Sequence, residues 1–599
     1  MARKGQGKIK PALYFAVLAV VYLTLFGRMV VLQVWQGPDL RVRAEKERSA
    51  SIELPALRGR ILDRNGKVLA QSVEERRVVV YPWMIGDKPK AASILSKFVD
   101  VSEQDILRRL NAGGRERWVI QQALSPEAAV ELRRELLLAG PKARLNGIED
   151  QRAVTRIYPL ESLGAKLLGS VNAEGQGVAG AEAACQTVLA GKPGRMSAFF
   201  DRRGNPIPTR MRQIILPKDG SDIVLTIDSR IQFEAEKALE EQIKSYQAQS
   251  GSCIVLDAHT GEILALAEYP SFSPGKLTSR DMDNLAVGSL VHIYEPGSTL
   301  KVFTAAAALE KGLENVTSTC TGQIHVGDRV LRCPCSARDR GFGNSVTIER
   351  MLQVSCNSEA AKLARILGSA TVYEELERFG LLDRLNTPGL GRSAAGLLPD
   401  PRKVNWSAVR LANVSFGHGV AISRLNLSSA FGAIANGGQL MRPYLVKEIR
   451  SGGQATFTET PKAVRTVVTP DIAARLRGYL RTAVEDGTGR HADVPGIPVA
   501  GKTGSAQMLA ESGRGYSSGD FVASFAGFAP ADKPRVAILV TIEKPRGSTH
   551  GGVVASPVVK SVVEKALWYT GDTPPSAKSG SNNPGSGKDL EVRGIGLNG

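Results

Sequence analysis

The chain has 599 residues, 43% of them hydrophobic and 23% charged, with a net charge of +18. That length holds about three to five domains' worth of sequence, and the ordinary composition excludes wholesale disorder, a collagen-like rod and a polytopic membrane protein. The positive charge calls for a lipid surface or acidic polymer as neighbour rather than nucleic acid, because aromatics are only 6% and no zinc-finger spacing or aromatic-rich RNA motif is present.

Residues 1–11 carry Arg3, Lys4, Lys8 and Lys10 and no acid, and read as a cytoplasmic stub. Residues 12–35 are apolar apart from Tyr22, Thr24, Gly27, Arg28 and Gln33. A helix of that length spans roughly 36 Å, enough for a bilayer. A cleaved signal peptide would be shorter and end in a small-x-small site. Here more apolar residues follow Arg28, so an uncleaved anchor is expected, and the cations before it set the N-terminus inside. No second apolar stretch of that kind appears, so the expectation is a single-span protein with everything after about residue 36 exported.

Residues 39–50 read as a charged helical stem. Ser51 to Leu54 reads as a strand, and Asn65-Gly66 between apolar runs signals a hairpin. Residues 88–140 read as mainly amphipathic helix, with Leu95, Phe98 and Val99 at helical spacing. The glycines of 152–182 suggest turns and close packing. Asp201 to Asn205 reads as a turn. A second pattern opens with strand Val224 to Asp228, helix Ser229 to Ser245 and a hairpin joining Ile254–Asp257 to Ile263–Ala267. Helices are expected through residue 440, strands again at Phe525–Phe528 and Ala537–Ile542, and a terminal helix at Val558–Trp568. Strands at both ends flanking helices give an α+β domain. The Gly/Ser/Pro/Asn-rich 571–599 is expected to be disordered.

Three short motifs carry chemistry. In Ser298-Thr299-Leu300-Lys301, at the start of an alanine-rich helix, one helical turn puts the hydroxyl and the amine on one face. A buried lysine there has a desolvated amine that can serve as a general base. Taken alone the motif is weak, because a capping serine beside a solvated lysine is the commoner source of the pattern. Ser355-Cys356-Asn357 places a hydroxyl and an amide two residues apart, a pattern that a helix cap also produces. Lys502-Thr503-Gly504-Ser505 reads as an edge strand whose glycine admits close approach of a ligand. A phosphate-binding loop is excluded, because the required glycine spacing before Lys502 is absent.

In order and context these motifs resemble the serine acyl-transferases of the penicillin-binding protein and β-lactamase superfamily. Further matches are Arg58 to Gly66, Gly177 to Glu182, Leu225 to Asp228, Glu295 to Ser298 and Ala435 to Gly438, and Gly417-His418-Gly419 sits where the family has a glycine pair around a polar residue. The chain is most similar to class B members of the septal, FtsI-type, division group. The elongation type stands as the near alternative, and a penicillin-hydrolysing enzyme or sensor and a mainly scaffolding division protein stand further off.

The resemblance implies an α+β architecture: a transmembrane helix at 12–35, an elongated mixed pedestal (dimerisation-type) domain at 38–218, and a transpeptidase domain at 220–570 with an antiparallel sheet flanked by helices. It implies that Ser298 attacks the carbonyl between two terminal D-alanines of a peptidoglycan stem peptide and that Lys301 takes its proton. Ser355 and Lys502 would relay a proton to the departing D-alanine, and Asn357 would hold the donor's amide. Backbone N–H groups of Ser298 and Ser505 would form the oxyanion hole, with Gly504 between the carboxylate-holding Thr503 and Ser505. Ser505 replaces the commoner threonine. The implied partners are the D-Ala-D-Ala donor, an amine acceptor, β-lactams, the inner membrane through one helix, a polytopic glycosyltransferase of the SEDS (FtsW-type) family and other division proteins. No cofactor and no metal is implied.

Six cysteines are too few for a disulfide scaffold. Cys320, Cys333 and Cys335 cluster with His325. A disulfide from Cys320 to Cys333 or Cys335, free thiols and a zinc site using all four residues stay open, the last without the C-x-x-C spacing usual for zinc. Cys356 is expected to point away from its motif neighbours as packing, and Cys185 and Cys253 to lie in the core. His418 and His550 read as cleft-lining.

Overall fold

The computed structural model describes residues 11–571 apart from 41–48, 113–115, 141–142, 146, 200–212, 328, 334, 336–344 and 511–514. The N-terminal stub, most of the helical stem, the turn at 201–205 and the tail beyond residue 571 lie outside the described residues. The apolar segment is one helix, Pro11–Val30, which widens into a π-helical turn at Val31–Trp35. It is long and apolar enough to cross a membrane.

The chain forms two compact units, each assembled from separated segments. One comprises residues 1–59, 72–155 and 187–221, and the other residues 60–71, 156–186 and 222–599. In the first, Val78 and Val80 of the long strand Val68–Val80 pack with Ile120, Leu124 and Ile148 of two further strands. Helices Lys88–Leu95, Glu103–Asn111 and Pro126–Leu138 close that core through Ile94, Leu95, Ile106, Leu110 and Leu132. The mainly helical stretch expected over 88–140 is thus three helices, with strand Trp118–Leu124 between the last two. Asp87, Ser102 and Ser125 each accept an N–H of the first turn, a cap of about 1 kcal/mol that restarts the helix each time. Phe98 and Val99 lie past the first helix, which ends at Leu95.

In the second unit the expected hairpin forms. Ile61–Leu62 pairs with the start of strand Val68–Val80, and Asp63 accepts the N–H groups of Asn65 and Lys67 at 2.8 Å each. Arg60 anchors it, donating from its backbone N–H and guanidinium to Asp222.

The core of this unit is a five-stranded antiparallel sheet. Its strands are β1 (Ser250–Asp257), β2 (Ile263–Tyr269), β3 (Ala500–Leu509), β4 (Tyr516–Ala529) and β5 (Val536–Glu543), in the order β2-β1-β5-β4-β3. Strands distant in sequence thus lie side by side, and β3 is an edge as expected. Alternate side chains face opposite ways. Cys253, Val255, Ile538, Val540 and Phe525 meet helices α1 (Ser229–Ser245) and α6 (Ser556–Tyr569) in one apolar layer. The opposite parity meets α5 (Arg424–Ala435), where Arg424 donates to Thr541.

Helices α2 (Lys301–Glu310), α3 (Ile348–Val354) and α4 (Asn357–Arg378) complete the elements that carry the motifs. The expectation of helices alone through residue 440 is corrected by short hairpins, among them Gln323–Val326 with Arg329–Arg332 and Asn386–Thr387 with Gly391–Arg392. These are too short to show a period in the sequence.

The motif Gly177 to Glu182 ends on a buried ion pair. Glu182 accepts from Arg156 Nε at 2.7 Å, and both side chains are buried. Removing one member of such a pair typically costs about 3–5 kcal/mol, because a charge stays behind without its counter-charge. Glu182→Ala is expected to lower the unfolding free energy by that amount, read as a lower urea midpoint with no change in slope. An unchanged midpoint would show that the pair contributes nothing.

Candidate active site

Ser298 sits in a single 3₁₀ turn, Gly297–Leu300, that leads into α2. Lys301 opens α2 and is fully buried. Its Nζ lies 3.0 Å from Ser298 Oγ, 2.7 Å from the Ser355 carbonyl oxygen and 3.1 Å from Ser355 Oγ. Burial pulls the ammonium down to about 8, opposed by the neighbouring Cys333, Cys356 and Cys335. The neutral amine has two N–H donors and one lone pair. With the donors directed to Ser355, the lone pair is left for the Ser298 hydroxyl.

Ser355 holds this position through its backbone. It caps α3 in the left-handed region, with φ 62° and ψ 42°. That conformation costs a residue with a side chain about 1–3 kcal/mol. It turns the Ser355 carbonyl and hydroxyl together toward Lys301, and α4 starts immediately afterwards. Asn357, at the first position of α4, is half-buried and donates from Nδ2 to the Arg332 carbonyl at 3.2 Å.

The third motif lies on β3, the sheet edge. A Cβ on Gly504 would come within 2.3 Å of Ser524 Oγ and 2.9 Å of the Pro296 carbonyl oxygen. Only glycine lets this strand approach the serine turn so closely. Gly417 does the same from the opposite direction: a Cβ there would fall 2.0 Å from the Gly297 carbonyl oxygen, and its own carbonyl accepts the Gly297 N–H at 3.1 Å. Lys502 is fully buried and donates to Thr503. Thr503 Oγ1 donates to Thr488 Oγ1 at 2.8 Å, and the Thr488 N–H bonds the Gln353 carbonyl at the end of α3. Ser505 Oγ accepts the Gly551 N–H at 3.1 Å. The three motifs, separated by 57 and 147 residues at their first members, thus meet: hydrogen bonds join the first two, and the third reaches α3 through Thr488 and the serine turn through Gly504.

Beside the serine turn lies a cluster that the motifs do not announce. Glu295 accepts from Tyr516 OH, from the Gly419 N–H at 3.0 Å, and bonds His418 Nδ1 at 3.1 Å. Burial, then Glu295, pushes the Tyr516 hydroxyl up to about 12, so it stays a donor. Glu295 stands in a quoted sequence match, but nothing local marks Tyr516 as its partner. His418 packs edge-on to Tyr516, and His550 precedes the turn that offers its N–H to Ser505.

The structure bears on each of the cysteine readings. No disulfide joins Cys320 to Cys333 or Cys335. His325 is exposed on its strand, while Cys356 is fully buried and packs against Cys333, with the sulfurs 3.7 Å apart. Cys185 is half-buried rather than core, whereas Cys253 is fully buried.

Comparison with known proteins places this arrangement. Residues 251–564 match the penicillin binding protein transpeptidase domain, and residues 53–225 match the penicillin-binding protein dimerisation domain. The chain is 30% identical over 564 residues to the probable peptidoglycan D,D-transpeptidase PenA of Neisseria meningitidis, covering 93% of this chain and 92% of that one. It is 29% identical over 578 residues to the peptidoglycan D,D-transpeptidase FtsI of Escherichia coli K12, covering 93% and 91%. The crystal structure of penicillin binding protein 3 from Mycobacterium tuberculosis with aztreonam superposes with a TM-score of 0.64 at 26% identity, covering 87% of this chain and 97% of that one. The chain belongs to the penicillin-binding protein family, with the class B order of a dimerisation domain ahead of a transpeptidase domain.

Proposed function

We propose that the chain is a serine peptidoglycan D,D-transpeptidase that cross-links stem peptides at the division septum. The observation that carries this reading is the fully buried Lys301 amine, 3.0 Å from Ser298 Oγ and held by Ser355. Ser298 attacks the carbonyl between the terminal D-alanines as Lys301 Nζ takes the hydroxyl proton. The tetrahedral oxyanion is held by the backbone N–H groups of Ser298 and Ser505. Ser355 and Lys502 return a proton to the leaving amine, and D-alanine departs. Asn357 holds the donor's amide, and Thr503 and Ser505 hold the terminal carboxylate across Gly504. An amine of a neighbouring stem then attacks the ester and frees Ser298. A β-lactam enters as a mimic of the donor and stops at the ester.

The septal assignment is supported by the relatives named PenA and FtsI. Four cations ahead of the span support a cytoplasmic N-terminus and an enzyme facing outward from the inner membrane. The span confines the enzyme to the plane of its lipid-linked supply, which raises effective concentration. Its partner there is a polytopic glycosyltransferase of the FtsW type, among other division proteins.

Intact-mass spectrometry after incubation with penicillin is expected to show one drug mass added to the wild type and none to Ser298→Ala. Labelling of that variant at the wild-type level would sink the assignment.

Lys301→Ala should slow acylation by about 10²–10⁴-fold while leaving the fold intact. For the wild type, the base must be neutral, so the acylation rate should climb with pH and level off above about 8. A rate flat from pH 6 to 9 would refute Lys301 as the base.

Replacing residues 12–35 with an unrelated span of equal length should leave β-lactam binding intact but impair division in cells depleted of the native protein. Full complementation would show that contact through the span is unnecessary.

A further inference from the structure

The sulfurs of Cys320, Cys333, Cys335 and Cys356 all lie within 4.8 Å of one another, and all four residues are buried. Cys335 stands 3.3 Å from Cys320 and 3.1 Å from Cys333, and Cys333 stands 3.7 Å from Cys356. A disulfide pairs each sulfur with one partner at about 2.05 Å. Here Cys333 and Cys335 each face two other sulfurs at longer range. Four thiolates about 2.3 Å from a central ion would sit about 3.8 Å apart at the corners of a tetrahedron. Three of the six spacings, at 3.1, 3.3 and 3.7 Å, fall a little below that edge, and the others stay within 4.8 Å.

Two further observations point the same way. Sulfur ligands need hydrogen bonds from outside the shell to hold their charge and direction. The Asn357 N–H donates to Cys333 Sγ at 3.0 Å, and Ser358 Oγ lies 3.3 Å from Cys320 Sγ. Both residues open α4, whose positive end favours thiolate. Secondly, the described residues from 318 to 335 have only three buried members: Cys320, Cys333 and Cys335. The hairpin Gln323–Val326 with Arg329–Arg332 presents only exposed and half-buried side chains. A segment with so little apolar burial needs a cross-link to hold one conformation.

We propose that Cys320, Cys333, Cys335 and Cys356 bind one zinc ion as a structural four-thiolate site. Binding forms four zinc–sulfur bonds and releases four thiol protons to solvent, with no change of oxidation state. The ligands come as one cysteine, a C-x-C pair and the middle residue of the Ser355-Cys356-Asn357 motif. That spacing hides the site from any search for paired C-x-x-C. The metal would fasten the hairpin to the backbone that carries Ser355 and Asn357. The assignment rests on the sulfur geometry, the hydrogen bonds to the sulfurs and the sparse burial of the segment, and stands whatever reaction the serine performs.

The test uses the full chain purified in detergent. Metal analysis after gel filtration is expected to find about one zinc per chain. Cobalt(II) in its place should give the visible bands of a tetrahedral thiolate site. Alkylation of the unfolded, unreduced protein should tag all 6 cysteines. Cys335→Ser should lose the metal, while Cys253→Ser should keep it. Should Cys335→Ser fail to fold, the wild type decides: a strong chelator should lower its melting temperature, and added zinc should restore it. The proposal is overturned if the reduced protein neither contains nor takes up zinc. It is equally overturned if the cluster cysteines resist alkylation until a reductant is added, because they are then disulfides.

Discussion

The structure of this enzyme depends on keeping one lysine out of water. Lys301 is fully buried, and a lone ammonium there would be costly unless it lost its proton or found acceptors. It has both remedies. Burial brings the amine down to about 8, and Ser355 offers a carbonyl and a hydroxyl. The acceptors must come from outside α2, which is why the second motif is indispensable to the first. The left-handed backbone of Ser355 is the strain that this arrangement requires. Strained residues persist where the surroundings over-determine them, and here α3, α4 and the amine fix Ser355 from three sides.

A second constraint is backbone proximity. An acyl-transfer site needs donors on the strand edge close to the nucleophile, and side chains stand in the way. Gly504 and Gly417 remove them on either side of the turn that bears Ser298. The five-stranded sheet supplies the rigid support, with β4 hydrogen-bonded along the whole of β3 and apolar side chains of β4 filling the layer beneath. Fully burying side chains such as Phe525 contributes roughly 1.5–3 kcal/mol each, so the edge strand is held by a core far larger than the site itself. Precision at the serine is thereby inherited from packing several layers away.

The polar residues around the turn act as fasteners. Glu295 gathers Tyr516, His418 and the Gly419 N–H, linking the segment before the serine to β4 and to the Gly417 turn. Thr488 links β3 to the end of α3. The cysteine cluster does the corresponding work behind Ser355 and Asn357. Each fastener joins segments that are far apart in the chain, so each reduces the freedom of the motifs.

The sequence by itself determined everything governed by short-range rules. The apolar span, the Asn65-Gly66 hairpin, helix Ser229–Ser245, the β1–β2 hairpin and the edge-strand character of Lys502 to Ser505 follow from hydrophobic period, caps and turn residues. The pairing of Ser298 with Lys301 follows from one helical turn. Tertiary structure decided what depends on distant partners. The run over 88–140 reads as mainly helix, and helices make up most of it, yet Ser102 and Ser125 cap new starts and Trp118–Leu124 pairs with the Val68–Val80 strand. Cys356 is expected to pack, but its partner is not legible locally: its sulfur meets Cys333, 23 residues off, because the hairpin folds back over the start of α4. Tyr516 meets Glu295 across 221 residues. Sequence spacing reports what lies within a turn or two of chain, whereas these contacts arise only once the sheet has brought its strands together.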